Sequence, residues 1–164
     1  MSGRSSGGGK TYKQDQRSGS GLRETRATNQ MKPLEVLFVE DNAGDTLLQW
    51  LALEDSPVPV KFHLARDGEQ ALQLLHDGLF DLIVLDLTLP KLSGFDVLEQ
   101  CQTNPVPIVV FTGGSDTDAE RHALELGARE YVRKPAHFEA YKEAVRRIVQ
   151  RWGQELYQTS GTTS

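Results

Sequence analysis

Five side chains with acid, cation or hydroxyl chemistry stand at the ends of four short candidate strands. Glu40 and Asp41 follow LEVLFV, Asp86 follows LIVL, Thr112 follows PIVVF, and Lys134 follows EYVR. Any one of these acids reads as part of a solvated rim of loops. The set does not, because three carboxylates brought together repel strongly. A divalent cation relieves that repulsion. Oxygen-only donors favour magnesium, a hard ion that keeps several waters and bridges phosphate oxygens. A lysine adds a point charge for an anion, and a threonine adds a hydroxyl. Carboxylate nucleophile, metal, cation and hydroxyl together are the equipment of phosphoryl transfer.

For the set to meet, the runs must be neighbouring strands that end on one side. The run at 34–39 is short and apolar and ends in acids, and Thr46 to Leu53 carries apolar residues at helical spacing. Residues 60–65 alternate like a strand, and Asp67 caps a helix expected to reach about Leu75. The continuous run at 82–85 suits a strand buried on both faces. A loop with Pro90 and Gly94 leads to a helix expected from about Phe95 to Cys101, and 107–111 is the next buried strand. Asp116 caps a helix that stops near Gly127. Residues 130–133 form a short fifth strand, and the last helix is expected from about Phe138 to Trp152. Alternating strands and helices with short links predict an α/β fold, a doubly wound open parallel sheet of (βα)5 type. An eight-unit barrel would need about 250 residues. In the flavodoxin-like strand order 2-1-3-4-5, strands one and three are neighbours, so Glu40, Asp41 and Asp86 crowd at the carboxyl ends where the order reverses. No GxGxxG or GxxxxGK[ST] loop follows the first strand, which argues against dinucleotide or P-loop nucleotide binding.

The chain has 164 residues, 38% of them hydrophobic, which suits one compact domain with tails. Its net charge of −5 is unevenly spread. Residues 1–32 carry seven Lys/Arg against two Asp/Glu, and the remainder carries eleven against twenty-one. The first 32 residues are rich in Gly and Ser and nearly free of apolar side chains, so they are expected to be a disordered basic extension. Met31 could serve as an alternative start. The domain is expected over 33–152, and 153–164 as a flexible tail. A single cysteine, Cys101, suits a reducing compartment, and no apolar run nears the roughly 20 residues of a membrane helix. A soluble, cytoplasmic protein is expected, with no membrane partner.

Four segments carry a family likeness. VLFVEDN, LIVLDLTLPKLSGFDVL, VVFTGG and LGAREYVRKP occur in that order. They resemble the receiver domain of two-component response regulators, from residue 34 to about 152. The VEDN opening and the LPKLSG loop look most like the stand-alone, phytochrome-linked branch. The resemblance implies that Asp86 is the phosphoacceptor. Glu40 and Asp41 would help hold Mg2+ with Asp86, and the backbone carbonyl of Thr88 would be a further ligand. Lys134 would bind the acyl phosphate, and Thr112 would swing toward it while Tyr131 rotates. The Lys134–Pro135 bond would be cis. Gly113 matches a small position that leaves access to Asp86, and Thr88 and Gly114 match positions that tune phosphoryl lifetime.

The function so implied is a single-domain response regulator. A histidine kinase or phosphotransfer protein would donate the phosphoryl group, and output would be a phosphorylation-dependent contact with a downstream protein. Self-association through helix four, strand five and helix five is a further expectation. No DNA-binding helix-turn-helix and no catalytic domain are seen after the fifth helix, so dedicated substrate turnover is not expected. Two rivals stand beside this reading. A degenerate receiver would bind partners without phosphorylation. A magnesium-dependent aspartate-nucleophile phosphohydrolase would resemble D-x-D-x-T, whereas Asp86-Leu87-Thr88-Leu89 lacks the second acid. Of the remaining residues, Asp45 reads as favourable charge near a helix N-terminus, and the four histidines lack ligand spacing. Cys101, Trp50 and Trp152 read as packing residues. Arg146, Arg147 and Arg151 read as a solvated helix face.

Overall fold

The computed structural model describes residues 32–114 and 116–162. The extension expected over 1–32 therefore lies, Lys32 apart, outside the described residues. Among the described residues, five strands alternate with five helices. They are β1 (Leu34–Val39), α1 (Ala43–Glu54), β2 (Val60–Ala65), α2 (Gly68–Asp77), β3 (Leu82–Leu85), α3 (Gly94–Gln100), β4 (Ile108–Thr112), α4 (Thr117–Glu125), β5 (Glu130–Arg133) and α5 (Phe138–Thr162). All strand pairs are parallel, in the order β2-β1-β3-β4-β5. This is the flavodoxin-like arrangement, with the order reversing between β1 and β3.

Side chains alternate across each strand, and both faces of the sheet are covered. Val36, Phe38, Val84, Val109 and Phe111 point into a core shared with Ala52 of α1 and with Tyr141, Val145 and Val149 of α5. Leu37, Val39, Ile83, Leu85 and Val110 point the other way, against Ala71 of α2, Val97 and Leu98 of α3, and Ala123 of α4. Two covered faces explain why the central strands read as unbroken apolar runs. The register aligns the functional ends: Val39 pairs with Leu85, and Thr112 with Arg133. The next residues on β1, β3 and β5 are Glu40, Asp86 and Lys134.

Side chains cap four of the helices. Asn42, Asp67, Ser93 and Asp116 each accept a backbone N–H from the first turn, and Ser93 with Asp96 completes a capping box. Gly127, at φ 111°, ends the α4 region in the left-handed conformation that favours glycine.

Three expectations are corrected. Helix α5 does not fray after Trp152 but continues to Thr162. Gly153 lies within the helix. It is buried, and a Cβ there would lie 3.1 Å from Val58 Cγ1, so glycine lets the helix lie close over that side chain. Leu156 and Tyr157 then add apolar contact with the same core. Trp50 is no packing anchor: it is 48% exposed, on a side of α1 that also exposes Leu47. Trp152 does pack against the core. The Lys134–Pro135 peptide is trans, as are all the described peptide bonds. Trans remains the lower-energy isomer of an X–Pro bond, and the Lys134 side chain reaches its partners with it.

Among the described residues no helix is long and apolar enough to cross a membrane.

Gly94 opens α3 directly against the strand end that carries Asp86. A Cβ there would lie 2.5 Å from Leu87 Cα and 2.6 Å from the Asp86 carbonyl oxygen, both backbone atoms. Gly94→Ala is therefore expected to lower the unfolding free energy by about 1–3 kcal/mol in urea titration. A Cβ at Gly113 meets nothing within 4 Å, so Gly113→Ala should stay within about 0.5 kcal/mol of the parent.

Candidate functional site

The turn after β1 is built by its own side chains. Glu40 N–H continues the ladder to Ala65 O at 2.9 Å, which turns its carboxylate inward. Asn42 donates its N–H to Glu40 Oε2 at 3.1 Å and caps α1 by accepting the Asp45 N–H at 2.9 Å. One residue therefore fixes both, the acid through its backbone N–H and the start of the helix through its side-chain oxygen. At the end of β3, Asp86 N–H donates to Val39 O at 3.1 Å. At the end of β5, Lys134 N–H donates to Thr112 O at 2.8 Å. Glu40, Asp86 and Lys134 thus each stand one residue past a paired strand, and Thr112 is the last paired residue of β4.

The side chains converge. Lys134 Nζ donates to Glu40 Oε1 at 2.8 Å, to Asp86 Oδ2 at 2.9 Å and to Asp45 Oδ2 at 3.2 Å. The other Asp86 oxygen, Oδ1, accepts the Thr112 hydroxyl at 2.9 Å and the Thr88 N–H at 3.1 Å. A carboxylate offers about four lone-pair positions; three are filled and one stays free. Asp86 and Thr112 are nearly buried and Asp41 is exposed, so the cluster opens to solvent on the Asp41 side.

Two titrations shift. Burial pushes the Glu40 carboxyl up to about 7, against the opposing pull of its hydrogen bond from Lys134. Burial alone would lower the Lys134 ammonium, but hydrogen bonds to Glu40 and Asp86 outweigh it and hold the group above its ordinary range. Lys134 is charged at any physiological pH.

One carboxylate oxygen each from Glu40, Asp41 and Asp86 lies within 4.8 Å of the other two. Three hard oxygen donors at that spacing, one reachable from solvent, fit a magnesium-type ion that retains part of its water. The predicted set is thus largely brought together: Glu40, Asp41, Asp86, Thr112 and Lys134 meet, and Thr88 touches Asp86 through its N–H. Tyr131 does not join them. It pairs with Val110 on β4 and packs with the Leu85–Val97 side of the core. Burial and then the charges of Glu120 and Asp116 raise its phenol.

Three residues that the sequence pattern did not place at the site also contribute. Asp45 bonds Lys134 directly rather than only decorating a helix end. Gln49 Nε2 donates to Glu40 Oε1 at 3.3 Å and to the Tyr141 hydroxyl at 3.2 Å. The available signal was spacing: Asp45, Gln49 and Ala52 share one face of α1, four and then three residues apart.

The comparisons with known proteins agree with this geometry. A family model described as the response regulator receiver domain matches residues 36–146. The chain is 32% identical over 122 residues to the transcriptional regulatory protein CiaR of Streptococcus pneumoniae, covering 73% of this chain and 53% of that protein. It is 34% identical over 130 residues to the probable methanogenesis regulatory protein FilR2 of Methanothrix harundinacea, covering 73% and 84%. The crystal structure of the phosphorylated cyanobacterial phytochrome response regulator RcpA superposes with a TM-score of 0.70 at 31% identity, covering 74% of this chain and 94% of that one. The Mn2+-bound form of response regulator Rcp1 gives 0.69 at 30%, covering 73% and 94%. The chain therefore belongs to the response regulator receiver domain family of two-component systems. It spans about half the length of several curated relatives that it matches, among them CiaR at 53%.

A proton on Glu40 competes with a bound cation. With the carboxyl raised to about 7, its charge is present above that pH and lost as the pH falls through it. Calorimetric titration with magnesium should thus show roughly tenfold weaker binding at pH 6 than at pH 8. Glu40→Gln should flatten that dependence. Equal affinity at both pH values in the parent protein would contradict it.

Proposed function

We propose that the domain accepts a phosphoryl group on Asp86 from a phosphohistidine of a histidine kinase or phosphotransfer protein. The observation that carries this reading is the surround of Asp86. One lone-pair position is free, Lys134 and Thr112 donate to its two oxygens, and Glu40 and Asp41 stand beside it.

In the transfer, the free lone pair of an Asp86 oxygen attacks phosphorus. The new P–O bond forms as the P–N bond to the donor imidazole breaks, and the imidazole keeps that electron pair. Glu40, Asp41 and Asp86, with the Thr88 carbonyl, are the residues that would hold Mg2+. When bound, the ion offsets the negative charge gathered on the phosphoryl oxygens. Lys134 supplies a fixed positive charge on the same side. Thr112 is free to exchange its bond to the carboxylate for one to a phosphoryl oxygen, since both are acceptors. Later attack of water on phosphorus returns the carboxylate and inorganic phosphate. The domain is thus a signalling acceptor and not a turnover enzyme.

The output we infer is a phosphorylation-dependent protein contact. Thr112 lies at the end of β4, directly before α4, and Lys134 lies between β5 and α5. A change in their hydrogen bonds biases the face made by α4, β5 and α5. Tyr131, half-buried on β5 and near Glu120 of α4 and its N-cap Asp116, is the side chain on that face we take to respond. The same face is where a second copy could associate. Cys101, free and buried, suits a cytoplasmic setting.

Incubation with acetyl phosphate and magnesium, followed by intact-mass measurement, tests the acceptor role. The parent protein should gain one labile phosphoryl group, lose the gain when magnesium is chelated, and show none in Asp86→Asn. A parent that stays unmodified without releasing phosphate, or an Asp86→Asn variant that is modified equally, would contradict it.

A further inference from the structure

Among the described residues, the one buried side-chain polar atom without a hydrogen-bond partner is Oε1 of Gln49. The residue is 2% exposed, at a point where α1 meets the core and an apolar side chain is the ordinary occupant. Its orientation is dictated by its neighbours. Glu40 Oε1 already accepts from the Lys134 ammonium and so acts as an acceptor, and the Gln49 NH2 group faces it 3.3 Å away. The second N–H then reaches the Tyr141 hydroxyl at 3.2 Å. The orphaned Oε1 is the consequence, and an unmatched buried acceptor opposes folding. A methionine of similar volume would fill the same space without that penalty. Packing therefore does not account for a glutamine here.

Its partners do. Glu40 is held by Lys134 and Gln49 on Oε1 and by the Asn42 N–H on Oε2. Tyr141, 3% exposed on α5, stands edge-on to Phe111 with ring centroids 5.1 Å apart. Burial, and then the charge of Asp45, hold its phenol well above the ordinary range, so the hydroxyl stays protonated. The chain of contacts runs from α5 through Gln49 to a carboxylate that faces Asp41 and Asp86.

We propose that Gln49 and Tyr141 are positioning residues for the cation site. The Gln49 amide fixes the Glu40 carboxylate toward Asp41 and Asp86, and Tyr141 fixes Gln49 from α5. Neither touches the reacting atoms. The proposal rests on the reading that Glu40, Asp41 and Asp86 hold magnesium, and it adds that the aim of this site is tied to α5.

The test is calorimetric titration of unphosphorylated protein with magnesium chloride, with thermal unfolding recorded in its absence. The variants are Gln49→Met, Tyr141→Phe and the double variant. Gln49→Met should weaken magnesium binding about tenfold, as loss of a group that orients a ligand does, and Tyr141→Phe should weaken it several-fold. The double variant should match Gln49→Met alone, because Tyr141 acts through Gln49. Tyr141→Phe keeps its ring against Phe111, so it carries the test if Gln49→Met fails to fold. Lower unfolding midpoints with unchanged magnesium affinity would overturn the proposal, and additive effects in the double variant would overturn the route through Gln49. A parent protein that binds no magnesium would overturn both this proposal and the metal reading beneath it.

Discussion

The ammonium of Lys134 lies within hydrogen-bond distance of Glu40, Asp45 and Asp86, two of them nearly buried. Carboxylates so placed are stable only with compensation, because burial disfavours charge and like charges repel. One lysine does not neutralise three acids together with the adjacent Asp41. The imbalance shows in Glu40, whose carboxyl burial raises to about 7 despite the lysine. The residual negative charge, directed at a solvent opening, is what a divalent cation can meet. A phosphoryl group on Asp86 would add charge of the opposite sign to the ion and compete for the same lysine and the same threonine. The site is therefore a charge balance that changes when either arrives.

The sheet makes that balance possible. Its residues come from separate strands, and only a parallel arrangement brings all the carboxyl ends to one side. The order reverses between β1 and β3, which leaves Glu40 and Asp86 side by side with no helix crossing over them. The two apolar layers fix the strand ends, since a one-residue slip would turn every core side chain to the wrong face. Close approaches complete the frame, as at Gly94 against the backbone of Asp86 and Leu87. Core, register and site are in this sense one structure.

The strand-end residues were legible in the sequence for a physical reason. A strand buried on both faces must be apolar throughout, so the first acid, hydroxyl or cation after such a run marks its end. Glu40, Asp86 and Thr112 stand out in this way; Lys134 follows the half-buried strand EYVR and stands out only by its place at the corresponding strand end. Asp45, Gln49 and Tyr141 do not, because helices mix polar and apolar residues and a buried polar side chain looks like a surface one until its partners are known. The end of α5 was misjudged because residues 153–164 are mostly polar, and the few contacts that hold them to the core, at Gly153, Leu156 and Tyr157, depend on neighbours distant in sequence. The exposed side of α1 at Trp50 was misjudged because aromatic residues are usually buried, and periodicity alone does not show which neighbours complete a face. The isomer of the Lys134–Pro135 bond depends on tertiary context, not on the dipeptide.

The most direct measurement of the charge balance is the unfolding free energy of Lys134→Met, with and without magnesium. Removing the ammonium leaves the buried acids uncompensated. The variant should lose about 3–5 kcal/mol in magnesium-free buffer. Added magnesium should stabilise it more than it stabilises the parent, because the ion then supplies the only strong positive charge in the cluster. A variant as stable as the parent without magnesium, or one that gains no more from the ion than the parent does, would contradict the account.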